Sequence, residues 1–345
     1  MMTNPNRRSD DLRPVPFPVL MADIGGTNVR FGLLVEAHSP VRHFPTVQIT
    51  DFPDFATAAA ETVLNATAVM PETLLLAIAA HVAALRTKLT AASRTMEPAA
   101  LKEEMNLTSV ITVNDFEALA MALPALHSDQ VIPIGEAEPR DREPRVVLGA
   151  GTGLGVGSIV WAGRRAVPIA GEGGHVGFGP ATARDFEIWP HLERLHGRVS
   201  GETLLSGNGL VRLYRAVCAV NGAAGGNSAE GSDVTSAAEA GDPQADEKLD
   251  LFVEYLGRRA GDFALLLLAR GGIYIGGVIA PRIPERLSSP RFRAAFEGRA
   301  PHRAILEKIP TFLITEPRPA FTGLAAFAVL PERYAVDLSA RRIGV

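Results

Sequence analysis

The chain lacks the residues that usually stabilise small secreted domains or cysteine-based metal centres. Its 345 residues include one cysteine, Cys218, so neither an intrachain disulfide nor a CxxC metal site can form. The cytoplasm, a reducing compartment, is the simplest expectation. Cationic residues are not in excess either, with 34 Lys and Arg against 38 Asp and Glu. This balance provides no general attraction to nucleic acid or anionic membranes, so we expect neither as a partner.

Long apolar runs are also missing. The most apolar stretches are 74–85, which His81 interrupts, and 263–269. Both are far shorter than the ~20 residues that a membrane-spanning helix needs. Residues 1–16 are polar and rich in proline, which predicts a disordered tail and not a secretory signal. Hydrophobic residues still make up 47% of the chain, which is enough for two globular domains with their own cores.

Two similar strand–turn–strand patterns occur, one near the start of each half of the chain. The first runs from 19 to 35 around a turn at 23–28, and the second runs from 146 to 161 around a turn at 149–153. This similarity indicates an internal duplication, and the later alternation of strands and helices indicates an α/β class with mixed sheets. The predicted helices are 55–67, 115–123, 210–220 and 244–270, and the further strands are 75–79, 110–113 and 273–275.

The two glycine-rich turns are candidate phosphate sites. Glycine lets the backbone approach a ligand closely, and successive N–H groups in such a turn form an anion site. Asp23 is an acid at the end of an apolar strand, so it can face phosphates only across a cation such as Mg²⁺, held partly through water. Thr27 and Thr152 can add hydroxyl donors. The alternative is that both are ordinary hairpin turns. The P-loop, Rossmann and protein-kinase signatures are all missing.

Four further polar positions are candidates for binding or catalysis. Asp115 follows a predicted strand and opens a helix, where it is either an N-cap or a general base. Glu172 and His175 stand among glycines, which suits contact with a small polar ligand, although an exposed flexible loop is the alternative. Glu202 stands near a helix start, where a capping role is equally open. No HExxH pattern occurs, so a zinc site is not expected.

Six motifs follow one another in an order that is highly specific as a set. In chain order they are DIGGTN at 23–28, NDF at 114–116, GAGTGLG at 149–155, GEGGH at 171–175, GETLLSG at 201–207 and GGIYIGGV at 271–278. With these motifs the sequence resembles bacterial glucokinases of the hexokinase-like type, within the actin-type ATPase superfamily. The resemblance covers roughly residues 19–329.

This resemblance implies a fold and an activity. The fold would have two RNase-H-like domains with mixed sheets and an interdomain cleft, with a small domain at 17–114 plus 320–345 and a large domain at 115–319. The activity would be transfer of the γ-phosphoryl of ATP to the 6-hydroxyl of glucose, the first step of glycolysis, with Mg²⁺ as cofactor. The resemblance also favours a homodimer.

The resemblance further implies roles for individual residues. Asp115 matches the catalytic base. The matching sugar ligands are Asn114, Glu172, His175 and Glu202. The matching phosphate and nucleotide positions are Asp23, Gly25, Gly26, Thr27 and Asn28 in the first turn, Gly151, Thr152 and Gly153 in the second turn, and Gly276 and Gly277 in the adenosine segment.

One segment departs from the family pattern. After the strand at 75–79, His81 takes the place of a usual proline and Ala84-Leu85 the place of a Gly-Asp turn. Ala91 and Arg94 stand where the family has Asn and Trp. This segment forms part of the sugar-side wall in the family, so the departure predicts weaker glucose binding or lower activity. Three alternatives therefore stay open: an active glucokinase, a catalytically weakened sugar- or nucleotide-binding homologue, and a kinase for another hexose.

Overall fold

The computed structural model describes residues 14–25, 28–79, 87–88, 95–223, 242–339 and 341–344. These residues form two compact units. Unit 1 takes the described residues up to 126, residues 158–170 and the described residues from 317 onward. Unit 2 takes residues 127–157 and the described residues of 171–316.

The helices and strands are numbered here in chain order, and short 3₁₀ turns connect several of them. The strands are β1 (Val19–Ile24), β2 (Asn28–Leu34), β3 (Arg42–His43), β4 (Val47–Gln48), β5 (Thr73–Ile78), β6 (Thr87–Lys88), β7 (Thr95–Met96), β8 (Ser109–Asn114), β9 (Val131–Ile134), β10 (Arg145–Ala150), β11 (Leu154–Ala162), β12 (Arg165–Gly171), β13 (Gly272–Gly277), β14 (Thr311–Ile314) and β15 (Arg342–Gly344). The helices are α1 (Phe55–Thr62), α2 (Pro98–Glu104), α3 (Asp115–Ala122), α4 (Ala183–Ile188), α5 (Gly201–Leu204), α6 (Gly207–Asn221), α7 (Pro243–Leu267), α8 (Pro284–Leu287), α9 (Pro290–Glu297), α10 (Arg303–Leu306) and α11 (Pro319–Val329).

Two large mixed sheets share one strand order. The first runs β15-β8-β5-β1-β2-β3, with β4 beside β2, and the second runs β9-β14-β13-β10-β11-β12. In the first sheet, β1 and β5 are parallel, β5 and β8 are parallel, and the edge strand β15 is antiparallel to β8. In the second, β10 and β13 are parallel, β13 and β14 are parallel, and β9 is antiparallel to β14. The predicted α/β class with mixed sheets is confirmed, and the shared order supports the predicted duplication.

Unit 1 has its own core on the first sheet. The six residues of β5 are all buried, as is usual for a parallel strand that is covered on both faces. Helix α3 belongs to this unit because it packs directly on α11: a Cβ on Gly323 would lie 1.9 Å from the carbonyl oxygen of Ala118. This grouping differs from the predicted boundaries, which put residues 115–126 and 158–170 in the large domain.

Unit 2 is organised around the long helix α7. The helix is amphipathic, and its buried face carries Phe252, Tyr255 and Leu256. Helix α9 approaches it closely, since Cβ atoms on Gly257 and Gly261 would each lie 2.5 Å from a carbonyl oxygen of α9. Among the described residues, no helix is both long and apolar enough to cross a membrane, α7 included.

Most predicted elements agree with the structure within a few residues, and one helix is shorter. The helix predicted over 55–67 ends at Thr62, and a 3₁₀ turn follows at 64–66. The β-branched residues Thr62 and Val63 disfavour further helical turns. The predicted tail lies mostly outside the described residues. The stretch 221–243 is rich in glycine, alanine and serine, which predicts a surface loop or weak helix, and most of it also lies outside the described residues.

Candidate active site

In unit 1, the residues predicted to act on phosphate and on the sugar hydroxyl lie at the same edge of one sheet. Ile24, Ile78 and Asn114 are in register at the carboxyl ends of β1, β5 and β8. Two strand spacings separate β1 from β8, which is about 10 Å. Asp23 in β1 and Asp115 directly after β8 therefore lie near one another along this edge.

Asp23 is paired with a residue that the sequence analysis missed. Its cross-strand neighbour on β2 is Arg30, whose Nη1 donates to Oδ2 of Asp23 at 2.9 Å. The Asp23 side chain is 16% exposed. Burial raises the pKa of this carboxyl, and the charge and hydrogen bond of Arg30 oppose that rise. The pairing could have been predicted by counting outward from the turn, because residues 23 and 30 are equally far from it.

The turn between β1 and β2 is only partly described. Gly25 N donates to the carbonyl oxygen of Asn28 at 3.0 Å, which closes the turn. Asn28 is exposed as the first residue of β2. Gly26 and Thr27, both predicted to bind phosphate, lie outside the described residues.

The sequence analysis left open whether Asp115, at the end of β8, is a helix N-cap or a general base. Asn114, not Asp115, is the N-cap of α3: its Oδ1 accepts hydrogen bonds from the N–H groups of Phe116 at 2.8 Å and Glu117 at 3.2 Å. Glu117 Oε2 accepts from Asn114 N at 3.2 Å, completing a capping box. Asp115 is the first helical residue, and its Oδ1 accepts from Phe116 N at 2.9 Å. Asp115 is therefore not needed as the cap.

A partly buried ion pair supports this helix start. The Glu117 side chain is 6% exposed, and Arg341 Nη1 donates to its two oxygens at 2.7 and 2.6 Å. Arg341 directly precedes β15, and its carbonyl oxygen accepts from Thr112 N at 3.0 Å. The C-terminal strand thus fixes the helix that begins with Asp115. Glu at the third helical position after Asn is a capping signal in the sequence, but nothing local indicates Arg341 as its partner.

In unit 2, the second glycine turn lies against Glu202. Gly151 N donates to the carbonyl oxygen of Gly153 at 2.8 Å within the turn. Glu202 Oε2 accepts from Leu154 N at 3.1 Å. A Cβ on Gly153 would lie 2.4 Å from that same carboxylate oxygen, so a side chain there would displace the carboxylate. The turn and Glu202 are thus in direct contact, with Thr152 exposed between its two glycines.

Glu172 and His175 lie on a short 3₁₀ turn beside the same strand start. His175 Nε2 is 3.7 Å from Glu172 Oε2, and both side chains are more than half exposed. A Cβ on Gly174 would lie 1.8 Å from the carbonyl oxygen of Leu154, so this loop packs directly on the start of β11. Glu172, His175 and Glu202 are therefore grouped around Leu154. Because all three side chains are ionisable and form hydrogen bonds, the group is suited to a polyhydroxylated ligand.

The predicted adenosine segment ends next to the second glycine turn. Gly277 pairs with Ala150 across β13 and β10 and has φ of +88°, which favours glycine. A Cβ on Gly277 would lie 2.3 Å from the carbonyl oxygen of Ala150. Gly276 and Gly277 thus lie at the carboxyl edge of the second sheet, where the turn 151–153 begins.

No preformed metal centre occurs in the part of the chain that the structure describes: no three His, Cys, Asp or Glu side chains are grouped so that they could hold an ion. The sequence-based expectation of a metal therefore depends on Asp23 alone. A single carboxylate suits Mg²⁺ that arrives bound to phosphates and keeps most of its waters.

Comparison with known proteins gives a consistent answer. The family model described as Glucokinase matches residues 20–330. A glucokinase of Sinorhizobium medicae (strain WSM419) is 44% identical over 327 residues, which cover 95% of this chain and 96% of that protein. A glucokinase of Rhizobium leguminosarum bv. trifolii (strain WSM2304) is 44% identical over 342 residues, covering 99% of both chains.

Solved structures agree with this likeness. The crystal structure of glucokinase from an Antarctic psychrotroph has a TM-score of 0.81 and 30% sequence identity, and the match covers 91% of this chain and 99% of that chain. The glucokinase from Balamuthia mandrillaris in complex with glucose has a TM-score of 0.73 at 22% identity, which supports the fold alone.

The altered segment at 80–94 lies almost entirely outside the described residues, apart from the short strand β6. None of the likenesses supports the expectation that this segment impairs activity. By the extent and identity of these matches, the chain belongs to the glucokinase family.

Proposed function

We propose that this protein transfers the γ-phosphoryl group of ATP to the 6-hydroxyl of glucose, with Asp115 as the general base. Membership of the glucokinase family supports the reaction. The residue roles are those that the sequence resemblance implies. The observation that carries the assignment is the contact between Glu202 and the glycine turn, where Leu154 N donates to the carboxylate at 3.1 Å. This contact joins a predicted sugar ligand to a predicted phosphate loop within one unit.

The three ionisable residues around Leu154 are suited to glucose hydroxyls. Glu202 and Glu172 accept hydrogen bonds when ionised, and His175 can both donate and accept. The exposure of Glu172 and His175 leaves them accessible to a ligand, since their side chains are 64% and 59% exposed. In unit 1, Asn114, the cap of α3, is assigned to sugar binding by its place beside Asp115.

Asp115 is suited to general base catalysis by its position at the start of α3. A carboxylate at this place can accept the proton of the attacking hydroxyl. The neighbouring acid Glu117 is paired with Arg341, so its charge is balanced and repels Asp115 less.

Mg²⁺ would be held by Asp23 through water and by the phosphates of ATP. Since Asp23 already accepts from Arg30 at 2.9 Å, contact through water fits this carboxylate better than full direct coordination. Bound Mg²⁺ supplies neutralisation of phosphate charge. The N–H groups of the two glycine turns, at 25–28 and at 151–153, are assigned to the phosphates of ATP.

Turnover on a sugar panel tests this proposal. ADP release is measured by a coupled assay with glucose, mannose, glucosamine and fructose, with MgCl₂ and with EDTA. We expect the highest kcat/KM with glucose and loss of activity with EDTA. Calorimetric binding of glucose without any turnover would instead show a weakened homologue, and a higher kcat/KM with another hexose would show a different kinase.

Two coarser features complete the proposal. We assign the protein to the cytoplasm because its reaction uses cytoplasmic ATP, and we expect a homodimer. Light scattering on the purified protein measures its mass directly, and a mass of 36.6 kDa at micromolar concentration would contradict the dimer.

A further inference from the structure

A buried arginine of α7, Arg259, forms hydrogen bonds with the backbone of the loop that carries His175. Arg259 Nη2 donates to the carbonyl oxygens of Val176 and Gly177 at 3.2 and 2.9 Å. These are the two residues that directly follow His175. The Arg259 side chain is only 4% exposed, so water cannot replace these hydrogen bonds if they are lost.

The same carbonyl group joins this loop to the start of α5. The oxygen of Val176 also accepts a hydrogen bond from Gly201 N at 3.1 Å. Gly201 directly precedes Glu202 and leaves little room for a side chain, since its Cβ would lie 3.2 Å from Arg259 Nε. Arg259 therefore contacts the point at which the two predicted sugar-binding segments meet.

The guanidinium group of Arg259 has a defined orientation. It stacks over the ring of Phe178 at 4.9 Å and lies 3.6 Å from the carboxylate of Asp262. The adjacent Arg258 is fixed by the fully buried Asp185 at 2.6 Å and donates to the next part of the loop. Each arginine thus donates from its Nη2 to the loop backbone.

We propose that Arg259 is a positioning residue for the sugar: it holds the backbone after His175 against the start of α5, and so sets Glu172, His175 and Glu202 at fixed distances from one another. This inference rests on the proposed function. Arg259 is too deeply buried to contact the sugar itself, so it acts through the loop backbone. A displaced loop weakens hydrogen bonds to glucose and leaves the nucleotide segment at 276–277 unchanged.

The test is the Arg259→Gln variant, whose amide is too short to reach both carbonyl groups. Steady-state kinetics give kcat and the KM for glucose and for ATP, and calorimetry gives the glucose Kd. We expect the glucose KM and Kd to rise about tenfold, the loss expected for a hydrogen bond to a charged group. The ATP KM should stay within about twofold. Arg259→Lys keeps the charge and one donor, so its glucose KM and Kd should lie between those of Arg259→Gln and the wild type.

Arg293→Gln is the matched control. Arg293 is also a largely buried arginine of unit 2, and its Nη1 and Nη2 donate to the carbonyl oxygens of Ile309 and Leu306 at 3.0 and 3.3 Å. These residues precede the amino end of β14, whereas Glu172, His175 and Glu202 are grouped around Leu154, just after the carboxyl end of β10. Its loss should lower the thermal midpoint and leave the glucose KM unchanged.

The outcomes separate the two proposals. A wild-type enzyme that does not phosphorylate glucose contradicts the proposed function. An active wild type whose Arg259→Gln variant keeps its glucose KM, or loses glucose and ATP affinity equally, shows that Arg259 is only structural. If Arg259→Gln does not fold, the KM values of Arg259→Lys for glucose and ATP decide the question in the same way.

Discussion

The two units present their predicted site residues in different ways. In unit 1, Asp23 and Asp115 stand at the ends of strands, so parallel pairing of β1, β5 and β8 decides where they lie. In unit 2, Glu172 and His175 lie on a loop whose backbone depends on an arginine 83 residues later than its acceptor Val176. A site on strand ends is fixed by register, whereas a site on a loop needs support from distant side chains.

The largest effect should come from the strand-end site. In Asp115→Asn the amide oxygen can still accept from Phe116 N, so the helix start and stability should be kept. The general base is lost, so we expect kcat to fall about 10²- to 10⁴-fold, with the calorimetric Kd for ATP unchanged. A variant that keeps more than about a tenth of kcat would end the assignment of the base.

The ion pair between Arg341 and Glu117, next to Asp115, should make a large contribution to the stability of unit 1. Arg341→Met leaves the buried Glu117 without its cation, which costs about 3 kcal/mol. Urea unfolding measures the loss. Adding Glu117→Gln removes the uncompensated charge and should restore most of the stability. If the double variant is no more stable than Arg341→Met, the charge of Glu117 is not the cause.

The contact between the glycine turn and Glu202 should be the most sensitive point of unit 2. In Gly153→Ala the new methyl group would lie 2.4 Å from Glu202 Oε2, so the carboxylate must move. We expect the glucose KM to rise about tenfold, as after loss of one hydrogen bond to a charged group. Gly179→Ala is the control, because its Cβ would meet nothing within 4 Å. Equal kinetics for both variants would contradict a role for this contact.

The smallest effect concerns α7 itself. Lys248 on this helix is fully buried, and burial lowers its pKa to about 7. The unfolded lysine titrates near pH 10.5, so between these values the unfolded state holds more protons and stability rises with pH. Below pH 7 the cost of the buried charge is fully present.

Lys248→Met removes that cost without changing the arginines of α7. We expect about 1–2 kcal/mol of added stability at pH 6.5, and a smaller gain at pH 9.5. Unfolding of both proteins at the two pH values checks this, with the glucose KM as a control that should not change. A gain that is equal at both pH values would assign the effect to packing instead of charge.

Much of the fold could be predicted from residue patterns. The hairpin β1–β2 follows from two apolar segments around the turn at 23–28, and the second pattern at 146–161 correctly indicated a second sheet of the same kind. The end of α1 at Thr62 was not found, since alanine-rich composition extended the prediction beyond the β-branched residues that stop the helix. The Asp23–Arg30 pair was within reach of hairpin counting and was missed.

The support of the site was beyond sequence reasoning. Arg341 and Glu117 are 224 residues apart, and neither has a local pattern that identifies the other. In the sequence, Arg259 resembles any arginine on an amphipathic helix. Only the structure shows that it donates to the carbonyl groups of the loop. Long-range pairs of this kind depend on how helices and strands pack, and residue spacing and composition do not predict that packing.

The sequence by itself determined the chemistry: which acids, amides, histidine and glycines stand at the ends of strands, in loops and at helix starts, and in what order. Local rules suffice for this, because strand periodicity, turn residues and helix caps act over a few positions. Tertiary structure alone decided which distant groups hold those residues in place, through the buried Arg259 and the partly buried Arg341. A buried cation needs partners wherever the fold brings them, and the fold brings them from far along the chain.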